Sequence, residues 1–209
     1  MNNIDLSIII VNFNTKELLS DCIESICNKT EGLSFEIIVV DNASNDGSVE
    51  KFSVDNRIKF IQNKENLGFG RANNIGAKVA SGDWLLFLNP DTILDNNAPY
   101  ILYNYLKHNS RVGIVGGNLF DSKGNQIHSF SRIFPSITRE MDFVFNELFT
   151  KIRYVKNRQF NTTNNPLVVA FITGADLMIS KKVFQEVGGF DENFFMYYED
   201  SALCDSVNK

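Results

Sequence analysis

The chain has 209 residues, 44% hydrophobic and 22% charged, with a formal net charge of −5. That length builds a substantial core and that composition is ordinary for a globular protein, so a disordered chain is excluded. The negative balance argues against nucleic acid as the main partner. It does not argue against a nucleotide, whose diphosphate is held locally by a metal ion and backbone amides.

Cys22, Cys27 and Cys204 are odd in number and lack CxxC spacing, which predicts reduced thiols in a cytoplasmic protein. The first residues lack the basic stretch of a secretion signal, and no apolar run approaches the length of a membrane span. The expectation is a soluble protein, at most peripheral on the inner face of a membrane.

Ser7 to Val11 is a continuous, β-branched apolar run, the mark of a strand buried on both faces. Asn14 to Glu17 has the cap-x-x-Glu spacing of a helix start. Leu18, Leu19, Cys22, Ile23, Ile26 and Cys27 then fall on one stripe, and Gly32 lies past the helix end. Phe35 to Val40 is a second buried strand, completing a βαβ unit and predicting a parallel sheet. Ile58 to Ile61 reads as a third strand and Arg71 to Ala80 as a helix. Trp84 to Leu88 is a fourth strand, stopped by Asn89-Pro90. Asp95 caps a helix carrying Ala98, Ile101, Leu102, Tyr105 and Leu106, and Val112 to Val115 is a fifth strand. The pattern is that of an α/β fold with a doubly wound, mostly parallel sheet and helices on both faces.

From about 121 to 165 the pattern loosens into an expected insertion over one end of the sheet. It carries one amphipathic helix (Met141, Val144, Phe145, Leu148, Phe149) followed by basic Lys151, Arg153, Lys156 and Arg158. That stripe fits its own core, a second copy of the chain in a homodimer, or a membrane surface. Leu167 to Ile172 and Leu177 to Ile179 resume strand character, and Lys181 to Val187 is a short helix ended by Gly188-Gly189. No repeat or linker divides the chain, so one domain over 1–209 is expected.

Ligands of open α/β sheets bind at the carboxyl ends of the strands. Here those ends read Asn12-Phe13-Asn14, then Asp41 to Ser48, then Asn66 to Asn74, then Asn89-Pro90-Asp91-Thr92. Each alone is an ordinary turn; four together are harder to explain as turns only. Further blocks follow at Thr173-Gly174-Ala175-Asp176 and from Gly188-Gly-Phe-Asp-Glu to Tyr197-Tyr-Glu-Asp200. In order and spacing these six blocks resemble the family-two glycosyltransferases, within them the bacterial rhamnosyltransferase-like group.

The resemblance implies a GT-A nucleotide-diphospho-sugar transferase fold. It also implies an inverting transfer of rhamnose or another hexose from a dTDP- or UDP-sugar to a glycan or lipid-linked acceptor in cell-envelope polysaccharide synthesis. Asp41 matches the acid beside the nucleoside, although the same residue also opens an Asx turn. Asn12 and Phe13 match the base pocket, with Phe13 free to stack. Asn66, Gly68, Arg71 and Asn74 match the loop and helix start near ribose and diphosphate, where glycines admit close approach. Asn89 and Asp91 stand at the family's metal-binding Asp-x-Asp, with Asp91 the implied ligand of Mn2+ or Mg2+. Asp200 matches the base that deprotonates the acceptor, Glu199 its orienting or acceptor-binding neighbour, and Asp176 a residue near donor sugar or acceptor.

Three departures stand out. Asn89 replaces the first acid of Asp-x-Asp, Ala202 replaces a third acid after Glu199-Asp200, and the chain stops at Lys209 where relatives run on to a metal-site histidine. His108 and His128 lie too far upstream to replace it, so the resemblance implies a C-terminally shortened domain. The alternative reading is a degenerate, non-catalytic domain that binds nucleotide or glycan. A dinucleotide oxidoreductase does not fit, because Gly68-x-Gly70 follows the third strand and its third glycine position is Asn73. A nucleotide transferase would want a basic, Gly-rich first loop, which Asn12-Phe-Asn14 is not.

Overall fold

A computed structural model describes residues 4–132, 134, 160–163 and 165–209. In chain order it contains β1 (Leu6–Asn12), α1 (Lys16–Lys29), β2 (Phe35–Asp41), α2 (Ser48–Phe52), β3 (Ile58–Gln62), α3 (Phe69–Val79), β4 (Trp84–Leu88) and α4 (Ala98–His108). There follow β5 (Ile114–Gly116), β6 (Phe130–Ser131), β7 (Phe171–Ile172), β8 (Asp176–Ser180), α5 (Lys181–Glu186) and α6 (Glu199–Asn208). The expected amphipathic helix around 141–149 and the basic residues after it lie outside the described residues.

The main sheet has the order β3-β2-β1-β4-β8-β5. The first four strands are mutually parallel, and β8 runs antiparallel between β4 and β5. Alternation along β1 explains why the sheet is covered on both sides. Ile8 and Ile10 pack with Leu19, Ile23 and Ile26 of α1 and Leu102 and Leu106 of α4. Ile9 and Val11 face the opposite layer, with Ala72 and Ala77 of α3, Phe184 of α5 and Leu203 of α6. Each such aliphatic side chain contributes about 1.5–3 kcal/mol on burial. Helix α3 sits especially close to β1, because a Cβ at Gly76 would collide with Ile9 Cγ2.

Several boundaries differ from those expected. Leu18 and Cys27 are exposed and Ile101 points outward, while Tyr103 takes the buried place on α4. The run 167–172 contributes only β7, which pairs with β6 in a separate two-stranded ribbon, while Leu167 and Val168 are exposed. Helix α2, unforeseen, begins after Gly47 in the left-handed region at φ 85°.

The sheet reverses its order of addition between β1 and β4. Their carboxyl ends, with those of β2 and β3, lie on one edge, and the antiparallel β8 begins there.

Candidate active site

On the β1–β2 side the loops are tied together by their own side chains. The register sets Asn12 opposite Asp41, both fully buried. Asn12 Nδ2 donates to Asp41 Oδ1 at 2.7 Å and to Ser44 Oγ at 3.0 Å, and its Oδ1 accepts from Thr15 Oγ1 at 2.6 Å. The other Asp41 oxygen accepts from Ser44 N at 2.9 Å, so the Asx-type turn does form. Asn14, at φ 56°, places its Oδ1 to accept from Asn45 N, and Asp46 accepts from Lys16 N. Both donor hydrogens of Asn12 are thus spent on orienting Asp41 and Ser44. Phe13 is presented outward, 46% exposed, beside the exposed Asn14 and Asn45.

The next layer is Asn42, unremarked in the sequence and buried. Its Nδ2 donates to Asn66 Oδ1 and to Gly68 O, both at 3.2 Å, and its Oδ1 accepts from Asn63 Nδ2 at 2.8 Å. Asn66 Oδ1 also accepts from Gly68 N at 3.0 Å. Asn66 and Gly68, two of the expected donor residues, therefore bond to other parts of the chain. A Cβ at Gly68 would collide with Phe195 O, so the close approach this glycine permits is that of the chain's own backbone. Arg71 Nε donates to Glu192 O at 3.0 Å, leaving the rest of the guanidinium exposed. Asn74 is buried; its amide donates to Phe190 O at 2.9 Å and accepts from Phe190 N at 3.0 Å.

At the β4 end, Asn89 N donates to Ala175 O at 3.0 Å, joining this turn to the residue before β8. Asp91 is exposed, and its carboxylate makes no hydrogen bond or ion pair among the described residues. Beneath it, burial and then the charge of Asp91 push the Cys22 thiol up to about 12. Asp176 opens β8 opposite Leu88 and is 7% exposed. One of its oxygens accepts from Gly117 N, the other is buried without a partner, and burial pushes the carboxyl up to about 8. It is enclosed by the chain's own atoms rather than facing open space.

The acid pair starts α6. Glu199 is 6% exposed, with Oε2 buried and unpartnered; burial, then the neighbouring Asp200 charge, raises its pKa. Asp200 is half-buried and accepts from Gly174 N at 3.0 Å and Ser201 N at 2.6 Å. Gly174 thus binds the pair to the segment that leads into β8. Tyr197 and Tyr198, immediately before, both sit in the left-handed region at φ 70° and 69°. The topology so gathers Asn12, Asp41, Asn89, Asp176 and Asp200 along one edge of the sheet. A groove of about 550 Å³ lies elsewhere, along the free edge of β5, and none of the candidate acids lines it.

Among the described residues no cluster of three or more His, Cys, Asp or Glu is poised to hold a metal ion. Asp91, exposed and unpaired, does fit one carboxylate of a shared site in which phosphate and water oxygens complete the shell of a hard cation.

The chain matches the glycosyl transferase family 2 profile across residues 7–188, and it belongs to that family. It is similar to glycosyltransferase GlyG of Streptococcus pneumoniae, 29% identical over 193 residues, covering 87% of this chain and 58% of the relative. It is also similar to the low-salt glycan biosynthesis hexosyltransferase Agl10 of Haloferax volcanii, 30% identical over 205 residues, covering 96% and 60%. The fold resembles that of a mannosyltransferase from Pyrobaculum calidifontis in complex with GDP-Man and Mn2+, with a TM-score of 0.63 at 17% identity over 97% of this chain and 51% of that one. It resembles S. aureus TarS to the same extent, TM-score 0.63 at 17% identity over 98% and 55%. The fold is GT-A. The chain spans 58–60% of the length of these two curated relatives.

Proposed function

We propose that the chain is the catalytic GT-A domain of an inverting glycosyltransferase, moving a hexose from a nucleoside diphosphate to a glycan hydroxyl. One observation carries the reading: in a family 2 chain, the acid pair at the start of α6 is tied through Gly174 to the sheet edge that also holds Asn12, Asp41 and Asn89.

In this reading Phe13 stacks on the base, and Asp41, fully buried and bonded to Asn12 and Ser44, fixes the loop against which the nucleoside lies. Asn89 and Asp91 flank the diphosphate, and Asp91 holds a divalent ion. Bound there, the ion neutralises charge on the leaving diphosphate. The presence of Mn2+ in the Pyrobaculum calidifontis mannosyltransferase supports that part of the proposal.

Asp200 takes the proton from the acceptor hydroxyl. The oxygen then bonds the anomeric carbon from the face opposite the diphosphate, and the carbon–oxygen bond to the nucleoside diphosphate breaks with its electron pair. The amide hydrogens of Gly174 and Ser201 aim the carboxylate. Glu199, 6% exposed beside Asp200 and with its pKa raised by burial, is the neighbour that helps to orient Asp200.

Rhamnose as the sugar, a dTDP or UDP carrier and a surface-polysaccharide acceptor rest on the resemblance. The naming of Agl10 for glycan biosynthesis supports the glycan part. Contact with the inner face of a membrane, or pairing of two copies, would fall to segment 141–149.

Calorimetric titration with UDP, dTDP and GDP, each with and without Mn2+ and with NADH as control, tests the reading. Metal-dependent binding of one diphosphate but not NADH is expected. Binding of a diphosphate without any hexose transfer would instead favour the degenerate, non-catalytic domain that Asn89 and Ala202 allow.

A further inference from the structure

We infer that the start of α3 is a positioning clamp for the acid pair, acting through the segment 190–198, and is not a donor-contacting surface. This rests on the reading of Asp200 as the proton acceptor.

Contacts at three points along the segment connect the two. Asn74 holds both backbone polar groups of Phe190 and donates to Glu192 Oε1 at 3.2 Å. Arg71 Nε holds Glu192 O, Phe69 N donates to Phe195 O at 3.1 Å, and the Phe69 and Phe190 rings meet edge to face at 6.0 Å. Glycines make room for the contact on both sides: Gly68 and Gly70 on α3, and Gly189, at φ 76°, whose added Cβ would meet Asn74 Oδ1. At its far end the segment is anchored again, by Gly174 N on Asp200.

Between the two anchors lie Tyr197 and Tyr198, consecutive left-handed residues that each carry a Cβ. Such a conformation is disfavoured for any residue but glycine and persists only where the surroundings over-determine it. Tyr197 is 73% exposed, so packing of its ring does not impose the strain. The anchors at Phe195 and Asp200 do. The backbone is thereby held to a span that sets where Glu199 and Asp200 enter α6. On its other side the clamp is joined to the nucleoside loops, since Asn42 binds both Asn66 and Gly68 one residue after Asp41.

Arg71→Ala and Tyr198→Gly separate this role from direct donor contact. Both positions are exposed, so both variants should fold; Tyr198→Gly relieves strain and should melt no lower than the wild type. The readouts, on the whole protein, are calorimetric Kd for UDP, dTDP and GDP with Mn2+, and release of diphosphate from UDP-, dTDP- and GDP-hexoses. Amide hydrogen exchange over 196–202 is followed in parallel and needs no substrate. The clamp predicts unchanged nucleotide Kd, kcat lowered by about ten- to a hundredfold because the base is misplaced, and faster exchange over 196–202. A weakened Kd with kcat and exchange unchanged would assign Arg71 to the donor and overturn the inference; so would wild-type kcat and exchange in both variants. Asp200→Asn serves as the reference. If that variant turns over normally, the reading of Asp200 fails, whatever the clamp variants do.

Discussion

The loops after β1 and β2 and the segments around Asp176 and Glu199 bury polar groups to a similar depth and treat them in opposite ways. Around Asp41 each side-chain polar atom of the Asn12–Asp41 pair has a partner, and the loops cross-link through Ser44, Asn45 and Asp46. Around β8 and α6, Asp176 Oδ1 and Glu199 Oε2 are buried with none, and the chain enters α6 through two strained tyrosines. A buried oxygen without a partner costs about 1–3 kcal/mol, and strain of this kind a similar amount. The first region is built to stay put before anything binds. The second carries stored cost where groups of shifted pKa are wanted.

The largest break in that contrast comes from the acid pair. Asp200→Asn is expected to lower kcat by about a hundred- to ten-thousandfold while leaving nucleotide affinity in place, checked by diphosphate release and calorimetry. Because an amide has one acceptor oxygen for the two backbone N–H groups of Gly174 and Ser201, about 1–3 kcal/mol of stability is lost with it. Next, Asp91→Ala should remove the Mn2+-dependent part of diphosphate binding, about tenfold or more in Kd. It should leave thermal stability unchanged, because the exposed carboxylate has no partner to lose among the described residues.

Asn12→Ala strips Asp41 and Ser44 of a shared donor in the saturated region, and should cost about 1–3 kcal/mol in urea unfolding.

The last prediction sharpens the other side. Asp176 has its pKa raised by burial from 3.8 to about 8, so the folded chain keeps a proton there that the unfolded chain releases. Its contribution to stability therefore falls as pH rises from about 4 to about 8 and is level above that, by at most about 1.4 kcal/mol per pH unit. Glu199 adds a trend of the same sign, while Asp5 and Asp46, with lowered pKa values, act in the opposite direction below pH 4. Asp176→Asn cancels only the first of these. Urea unfolding of variant and wild type between pH 5 and 9 should give a difference that grows with pH up to about 8 and is level beyond.

The same contrast explains what could be read from residues alone. The β-branched runs of β1, β2 and β4 and the stripe on α1 are local patterns, and they were legible because a strand buried on both faces leaves no other composition possible. Pairing is not local: that β8 runs antiparallel between β4 and β5, or that Leu167 and Val168 stay outside any sheet, depends on partners far along the chain. Asn12 and Asp41 were legible as residues at strand ends, but not the fact that Asn12 spends its amide on Asp41. Gly68 was legible as a close approach, with Phe195 as the actual neighbour visible only in three dimensions. Nothing in Tyr197-Tyr198 signals a left-handed backbone, since tyrosine is not chosen for it.

Parallel calorimetry and turnover on Asp91→Ala and Asp200→Asn test most directly the claim that donor binding and proton removal sit on different elements of one sheet edge. The expected result is loss of metal-dependent nucleotide binding in the first variant, and loss of turnover with wild-type nucleotide Kd in the second. Equal loss of nucleotide binding in both would contradict that separation.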